Sequence, residues 1–292
     1  MGQYTNKNKY PEWLCNVLKY NPYTTGPKKS DISVTQLIDS PQVLSLRKAN
    51  RDNITEDVSD RTWAVWGSAV HAICESANLS NSNVLVEKRF HKTYGKEFKE
   101  GTGMFTVSGQ VDVYDIKNNI LYDIKTVSAN ALMYGVKPVW SYQLNVLADL
   151  MQHDGWKVSG LGIVAFAKDW NGRFVKDGSH YPENSLTIID IPLWSKKETK
   201  EFIDKRLQRH FFDDKMCTKE ERWQSDDKFA VMKEGKSRAV KLFDTKDDAN
   251  DFIIIQKDQE KLYLEDRVGY NMRCHKYCNV NRFCPQYAKE NS

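Results

Sequence analysis

The spacing of apolar residues along the chain first follows the period of an α-helix. Residues 1–30 are polar and irregular, and apolar residues then recur at helical spacing over residues 33–49 and 57–78. Ser33 stands where the first helix would be capped, and Pro41 divides that segment into two short helices.

The second helical segment, residues 57–78, carries a regular apolar stripe. Its members repeat every three or four positions: Trp66, Val70, Ile73 and Ala77. Such a stripe faces the core in most globular proteins, so we expect Trp66 to be buried.

Beyond residue 83 the period shortens to two, which is typical of β-strands. Alternating segments cover residues 83–94, 103–116 and 119–128, with a turn at Lys117-Asn118-Asn119, and together they predict a β-meander. The elements that follow are a helix over residues 140–155, strands over 160–170 and 185–194, and a charged amphipathic helix over 196–214.

This order of elements predicts an α/β protein with a mixed central β-sheet flanked by helices. We divide the chain into an N-terminal extension (1–30), a core domain (31–216), a small inserted hairpin-helix module (217–270) and a Cys-rich tail (271–292) that packs on the core. The module should turn at Glu234-Gly235-Lys236 and continue into a helix over residues 247–263.

Composition and charge set limits on the function without naming it. An aromatic content of 12% argues against a disordered chain, and no apolar run is long enough for a transmembrane helix. The first residues lack the apolar centre of a secretion signal, so we expect a cytoplasmic protein with no membrane partner. The formal net charge of +4 is too small to indicate nucleic-acid binding by itself.

The cysteines are more informative. Three of the six form a cluster near the end of the chain: Cys274, Cys278 and Cys284. In a reducing cytoplasm such a cluster favours metal or iron–sulfur ligation, with three buried apolar thiols as the alternative. A tetrahedral site needs a fourth ligand, for which we prefer Cys15 over His275 and Cys217. Zinc accepts Cys or His, whereas an iron–sulfur cluster prefers four Cys, and the sequence leaves both open.

Two carboxylates and a lysine in the meander suggest catalysis. Asp112 lies near the end of one predicted strand, while Asp123 and Lys125 share a face of the next because strand side chains alternate. The turn would bring Asp112 opposite Asp123. Two carboxylates beside an ammonium group suit Mg²⁺-dependent phosphodiester hydrolysis, although an exposed salt bridge is the common alternative for an Asp-x-Lys sequence.

Residues outside the meander favour the catalytic interpretation. His71 and Glu75 are four positions apart and share one helix face, which adds a metal ligand and a further carboxylate. Gln143 lies in the helix that follows the meander.

Taken in order, these motifs resemble the RecB-like branch of the PD-(D/E)XK nucleases, which includes CRISPR-associated RecB-like exonucleases and the nuclease domain of AddB. The matching segments are residues 32–47, 67–76, 109–115, 122–126 and 142–150, and iron–sulfur members of the family also end in a cysteine trio. The resemblance covers roughly residues 32–170 and 271–287, and the chain looks most like a phage-encoded member. It implies a restriction-endonuclease-like core with a Cys-rich C-terminal segment.

The resemblance also implies roles for individual residues. The ligands of a Mg²⁺ or Mn²⁺ ion would be His71, Asp112, Asp123 and the carbonyl of Ile124. Lys125 would be the catalytic lysine, and Gln143 would match the glutamine that places DNA near the metal. Three residues would support this site from outside: Glu75, Glu87 and Tyr142. The cysteine trio with Cys15 would hold a [4Fe-4S] cluster, or alternatively Zn²⁺.

Three positions depart from the family pattern. Leu147 stands where the tyrosine four residues after the glutamine is usual, and Ser40 stands where a cluster cysteine normally precedes the proline. The last cysteines are spaced C-x3-C-x5-C, one residue longer than usual in the first interval. These departures weaken the iron–sulfur expectation more than the catalytic one.

We therefore expect a metal-dependent DNA exonuclease acting in recombination, replication or DNA degradation. Its substrate would be single- or double-stranded DNA with a free end, and recombination or replication proteins would be its partners, in the host cytoplasm if the chain is phage-encoded. Alternatives are a structure-specific or nicking endonuclease and a non-catalytic DNA-binding protein. A basic path for DNA would include Lys28, Lys29, Arg47, Lys48, Arg51, Lys137 and Lys168. Unpaired bases would stack on aromatic side chains near the motifs, for which core packing is the more common alternative: Trp63, Trp66, Tyr134 and Trp140.

Overall fold

The computed structural model describes residues 3–20, 30–98, 101–176, 178–213 and 215–290. The chain forms two compact units, one made of Met1–Leu44 with Arg51–Lys215 and the other of Ser45–Asn50 with Met216–Ser292. The hairpin module and the Cys-rich tail therefore belong to the same unit. Within the described ranges, no helix is both long enough and apolar enough to span a bilayer.

Among the described residues, the first unit holds eight strands and most of the helices. The strands are β1 (Gln3–Thr5), β2 (Ile32–Ser33), β3 (Thr55–Asp57), β4 (Val84–Phe98), β5 (Gly101–Asp115), β6 (Ile120–Val127), β7 (Gly160–Ala167) and β8 (Leu186–Ile191). The helices are α1 (Glu12–Lys19), α2 (Val34–Ile38), α4 (Thr62–Asn78), α5 (Ala129–Leu132), α6 (Pro138–His153) and α7 (Lys196–Phe211). The residues of α3 (Pro41–Ala49) are divided between the two units after Leu44.

A six-stranded mixed sheet forms the centre of the first unit, and the prediction of a mixed α/β fold is confirmed. Its order is β2-β5-β6-β7-β8, with β4 on the other edge of β5. The pairs β4–β5, β5–β6 and β7–β8 are antiparallel, whereas β2–β5 and β6–β7 are parallel. The predicted meander is thus β4, β5 and β6.

The sheet opens along one edge of β5, and this opening positions the candidate site. Residues Val113–Asp115 of β5 pair with β6, whereas Val107 and Ser108 pair with β2 on the same edge. The β5–β6 ladder therefore ends just before Asp112. A polar side chain at that point can turn into the gap without disrupting a ladder hydrogen bond.

Helix α6 packs its apolar face on the sheet and forms much of the core. Its buried side chains include Leu144, Val146, Leu147, Leu150 and Met151. Contact with β5 is close: a Cβ added at Gly109 would lie 2.3 Å from Leu147 Cδ2. Only glycine allows this approach, which fixes the depth at which α6 sits on the sheet.

The short helix α2 begins and ends on side-chain contacts. Ser33 caps it as predicted, in a capping box with Gln36. At its other end, Arg206 Nε of α7 donates to the Leu37 carbonyl at 2.8 Å, and His210 Nε2 lies 3.0 Å from the same oxygen. These buried polar groups satisfy the carbonyl that the helix leaves without a partner.

The predicted burial of Trp66 is wrong. Trp66 is 57% exposed and Ile73 is 68% exposed, and α4 contains no fully buried residue. The helix contacts β4, β5 and β6 through a different stripe, in which Gly67, His71 and Cys74 are half-buried. The residues of this stripe are small or polar because they cover the carboxylates of the sheet. The apolar stripe of α4 therefore predicted the wrong face of the helix as the buried one.

The second unit contains a three-stranded antiparallel sheet in the order β10-β9-β11. Its elements are β9 (Lys228–Lys233), β10 (Lys241–Phe243), α8 (Lys246–Ile254), β11 (Leu262–Arg267), α9 (Met272–Lys276) and α10 (Pro285–Glu290). Gly235 has a φ of +75° after β9, at the predicted turn. The helix predicted over residues 247–263 is too long, because residues 262–267 pair along the second edge of β9 and satisfy its backbone groups.

Candidate metal centre

Three carboxylates occupy one row of the main sheet. Val86 pairs with Val113 and Lys88 with Val111, so Glu87 of β4 faces Asp112 of β5. The β5–β6 register, extended by one position beyond the Val113–Tyr122 pair, places Asp112 opposite Asp123. Side chains in one row of a sheet project to the same face, and the three acids therefore converge.

The backbone is distorted where this row crosses the sheet. Glu87 has a φ of +48°, which is uncommon for a residue with a side chain and costs conformational energy. Asp112 Oδ2 accepts a hydrogen bond from the Ile124 backbone N–H at 2.8 Å, in place of a ladder bond between β5 and β6. Strain of this kind is common where function requires a particular side-chain direction.

His71 of α4 lies next to two of the three carboxylates in this row. Its Nδ1 lies 3.3 Å from Glu87 Oε1 and 3.6 Å from Asp112 Oδ1. One ligand atom from each of these three residues lies within 4.8 Å of the others, and no other group of His, Cys, Asp and Glu among the described residues meets that condition. Glu87, assigned a supporting role from the sequence, thus stands among the candidate ligands.

Asp123, Lys125 and Gln143 form a second, adjoining group. Lys125 Nζ lies 2.7 Å from Asp123 Oδ2 and donates to Gln143 Oε1 at 3.2 Å. Gln143 Nε2 of α6 donates to Asp123 Oδ1 at 2.7 Å. Asp123 is only 2% exposed, and its Oδ2 has no well-aligned hydrogen bond within the described chain despite the nearby ammonium. That oxygen retains capacity to bind a cation.

Burial and mutual repulsion make these carboxylates reluctant to ionise. Burial, followed by the charge of Asp123, raises the pKa of Asp112 from 3.8 to about 7. Burial also raises the pKa of Asp123, against the opposing influence of Lys125. The contact with Glu87 raises the pKa of His71. A divalent cation would favour ionisation of these carboxylates, because its positive charge stabilises their charged form.

Two residues that support Glu87 were missed by the sequence analysis. Gln110 Nε2 donates to Glu87 Oε2 at 2.7 Å and to the Glu87 carbonyl at 3.0 Å, and Arg89 Nη2 donates to Gln110 Oε1 at 2.7 Å. Gln110 lies two positions before Asp112 on the same strand, so the period of two was a usable signal.

Other predicted residues have different surroundings. The Tyr142 ring packs against Phe202 with a centroid distance of 4.8 Å and against Trp194 at 6.0 Å. Glu75 is half-buried on α4 and forms no hydrogen bond or ion pair with the rest of the described chain. Leu147, at the usual tyrosine position, is part of the core. Lys28 and Lys29 of the predicted basic path lie outside the described residues.

The cysteines fall into both units. Cys15 is buried beside Leu18 and Val58 in the first unit, and its Sγ donates to the Tyr10 carbonyl at 3.6 Å. The trio belongs to the second unit, where all three thiols are half-buried.

No protein-family model matches the sequence, and no curated protein matches it either. Among solved structures, the chain is similar to the protein described as SSO0001, with 15% sequence identity and a TM-score of 0.47. The match covers 68% of this chain and 84% of that chain. A likeness at this level says nothing about activity.

Proposed function

We propose that the chain is a Mg²⁺- or Mn²⁺-dependent deoxyribonuclease of the PD-(D/E)XK type that removes nucleotides from DNA ends. The observation that carries the proposal is the convergence of Asp112, Asp123 and Lys125 beside His71. Acidic oxygens, an imidazole and an ammonium group in one half-buried gap match the needs of phosphodiester hydrolysis.

The donor set suits a hard divalent cation. Asp112, Asp123 and His71 would hold it, with Glu87 beside them and the Ile124 carbonyl as a further oxygen donor. Carboxylate oxygens are preferred by Mg²⁺ and Mn²⁺, and the cation would share Asp123 Oδ2 with the Lys125 ammonium group, which lies 2.7 Å from it. A bound cation supplies Lewis-acid polarisation of the scissile phosphate.

Lys125 is suited to act on the attacking water or on the phosphate. Hydrolysis forms a P–O bond from water and breaks the P–O bond to the departing sugar oxygen. Because Asp123 and Gln143 hold the ammonium group in place, Lys125 can donate hydrogen bonds where negative charge develops without first being reoriented. Gln143 positions both Asp123 and Lys125 and so links the metal ligand to the lysine.

Exposed aromatic side chains on α4 favour an unpaired DNA end as substrate. Trp63 and Trp66 are more than half exposed, and Lys168 Nζ lies 3.3 Å from the centroid of the Trp63 ring. Aromatic faces next to a positive charge bind unpaired bases and the adjoining phosphates. Both tryptophans lie on the helix that carries His71. Trp140, by contrast, is buried and belongs to the core.

The decisive experiment is incubation of the purified chain with end-labelled linear DNA and Mg²⁺ or Mn²⁺. Wild type should release nucleotides, whereas Asp123→Asn and Lys125→Met should lower the rate by about a thousandfold, as expected for loss of a group that stabilises the transition state. Lys117→Met is the matched control, because this exposed lysine lies in the turn between β5 and β6. Equal activity of wild type and Lys125→Met would contradict the proposal.

The two alternatives give different results in the same experiment. A nicking or structure-specific endonuclease would also cut circular DNA, which has no end. A non-catalytic DNA-binding protein would bind the labelled strand but release nothing with either metal.

A further inference from the structure

We propose that Cys217, Cys274, Cys278 and Cys284 form one four-thiolate site for an iron–sulfur cluster, with Cys217 supplying the fourth ligand. The proposal is independent of the hydrolytic function. It replaces Cys15, which the sequence favoured, with a cysteine that folds in the same unit as the trio.

Cys217 is fastened directly to the segment that follows Cys284. Its backbone N–H donates to Gln286 Oε1, and Gln286 Nε2 donates back to the Cys217 carbonyl, each at 3.1 Å. Gln286 is the second residue of α10, and Cys284 immediately precedes that helix. A paired amide contact of this kind holds one backbone segment in register with the other.

Further hydrogen bonds join the segment that follows Cys217 to the residue before Cys274. The Arg273 backbone N–H donates to the Arg222 carbonyl at 3.1 Å, and Arg273 Nη1 donates to the Glu221 carbonyl at 3.1 Å. Cys274 is the next residue along α9. The short segment beginning at Cys217 therefore adjoins both ends of the cysteine trio.

Asn281 arranges the trio itself. Its Nδ2 donates to the Cys274 carbonyl at 3.0 Å, its backbone N–H donates to the Cys278 carbonyl at 3.4 Å, and its own carbonyl accepts from the Cys284 N–H at 3.0 Å. One residue thus touches the backbone of all three cysteines. The surrounding loop is built around this asparagine, which makes Asn281 a positioning residue for the site.

The side chain of Arg222 provides evidence for a ligand near the cysteines of the second unit. Its Nε is buried and has no hydrogen-bond partner among the described residues, although its terminal nitrogens contact Glu290 and Gln224. The Arg222 backbone carbonyl accepts from the Arg273 N–H, so this arginine lies on the segment that adjoins Cys274. A buried donor without an acceptor is costly, and a thiolate or cluster sulfide would satisfy it.

The second unit also has little apolar core of its own. Its fully buried hydrophobic residues among those described are Ala230, Val231, Met232, Ala249 and Val280. Units of this size with so small a core are commonly stabilised by a metal site. Binding free energy at the four thiolates would then contribute to the folding of this unit.

The described sulfur atoms are not gathered as closely as a single zinc ion requires. A tetrahedral site with Zn–S bonds of about 2.3 Å requires sulfur atoms about 3.8 Å apart. The described cysteines do not form any group of three with all sulfurs within 4.8 Å of one another. A cluster separates its four thiolates more widely than one ion does, because each thiolate binds a different iron atom.

The test uses the full chain, purified and reconstituted with iron and sulfide without oxygen, and measures bound iron, sulfide and zinc together with visible absorption. Cys217→Ser and Cys278→Ser should each lower bound metal by at least about tenfold, since a cluster needs all four thiolates. Cys15→Ser and Cys74→Ser are matched controls and should keep wild-type metal content. Loss of metal in Cys15→Ser with retention in Cys217→Ser would overturn the proposal, and so would a wild-type chain that binds no metal.

A second measurement tests the same ligand assignment if the Cys217→Ser variant fails to fold. In the metal-loaded wild-type chain, alkylation followed by mass spectrometry should find Cys217 protected together with the trio until a chelator is added. Rapid labelling of Cys217 while the trio stays protected would exclude it as a ligand. If the chain instead binds zinc, and this binding requires the same four cysteines, the assignment of the ligands would stand. The assignment of an iron–sulfur cluster to the site would then be wrong.

Discussion

Helices α4 and α6 both pack on the main sheet and each contributes a side chain to the candidate metal centre, but they are held there by different means. Helix α6, which carries Gln143, buries a row of large apolar residues against β5. Helix α4, which carries His71, has no fully buried residue and covers the sheet with small and polar side chains. Helix α6 therefore anchors the site through its apolar face, whereas α4 adds one candidate metal ligand, His71, and an exposed surface.

The largest contrast between the helices should appear on truncation. Leu147→Ala on α6 should lower the free energy of unfolding by about 3 kcal/mol, because it removes a fully buried side chain and leaves a cavity. Trp66→Ala on α4 should change it by no more than about 0.5 kcal/mol, despite the larger side chain. Chemical denaturation of both variants measures the difference, and a comparable loss for Trp66→Ala would mean that α4 is also a structural helix.

A second prediction concerns the stability cost of the carboxylate row that α4 covers. Because the pKa of Asp112 is raised from 3.8 to about 7 on folding, its contribution to stability is present below about pH 4 and is lost as the pH rises through 7. Asp112→Asn keeps an acceptor for the Ile124 N–H but cannot ionise. In metal-free buffer this variant should therefore melt at a higher temperature than wild type at about pH 8, with little difference at about pH 4.

The control for that experiment is Asp115→Asn on the same strand. Hydrogen bonds from Asn118 lower the pKa of Asp115, so the carboxylate stabilises the fold above its unfolded pKa and its removal should lower the melting temperature at about pH 8. Added Mg²⁺ should stabilise wild type but not Asp112→Asn. A variant at Asp112 that melts below wild type at about pH 8 would show that burial is not the dominant influence on this carboxylate.

The smallest expected effect tests the exposed surface of α4. Trp63→Ala should weaken binding of a labelled single-stranded oligonucleotide by about tenfold in the absence of divalent metal, since base stacking on an aromatic contributes roughly 1–3 kcal/mol. Binding of blunt duplex should change less. Fluorescence anisotropy provides the measurement, and Trp13→Ala is the control because Trp13, on α1, is also more than half exposed. An identical loss for Trp13→Ala would indicate non-specific binding.

Much of the fold could be predicted from the sequence because local patterns were strong. The period-two segments became β4, β5 and β6, and Ser33 capped its helix where predicted. The errors arose where tertiary contacts outweighed a local pattern. The stripe of α4 that includes Trp66 faces solvent, and residues 262–267 joined β9 as a strand instead of extending α8.

The sequence by itself determined which chemistry is available. Carboxylates, an imidazole, a lysine and clustered thiols are properties of residue type, and periodicity already paired Asp123 with Lys125 on one face of a strand. Only the tertiary structure decided which groups meet. The register of β4, β5 and β6 brought Glu87 into the row with Asp112 and Asp123, and the folding of residues 216–292 as one unit joined Cys217 to the trio's surroundings. These contacts depend on pairing between segments that are distant in the chain. The local spacing of apolar residues carries no information about such pairing.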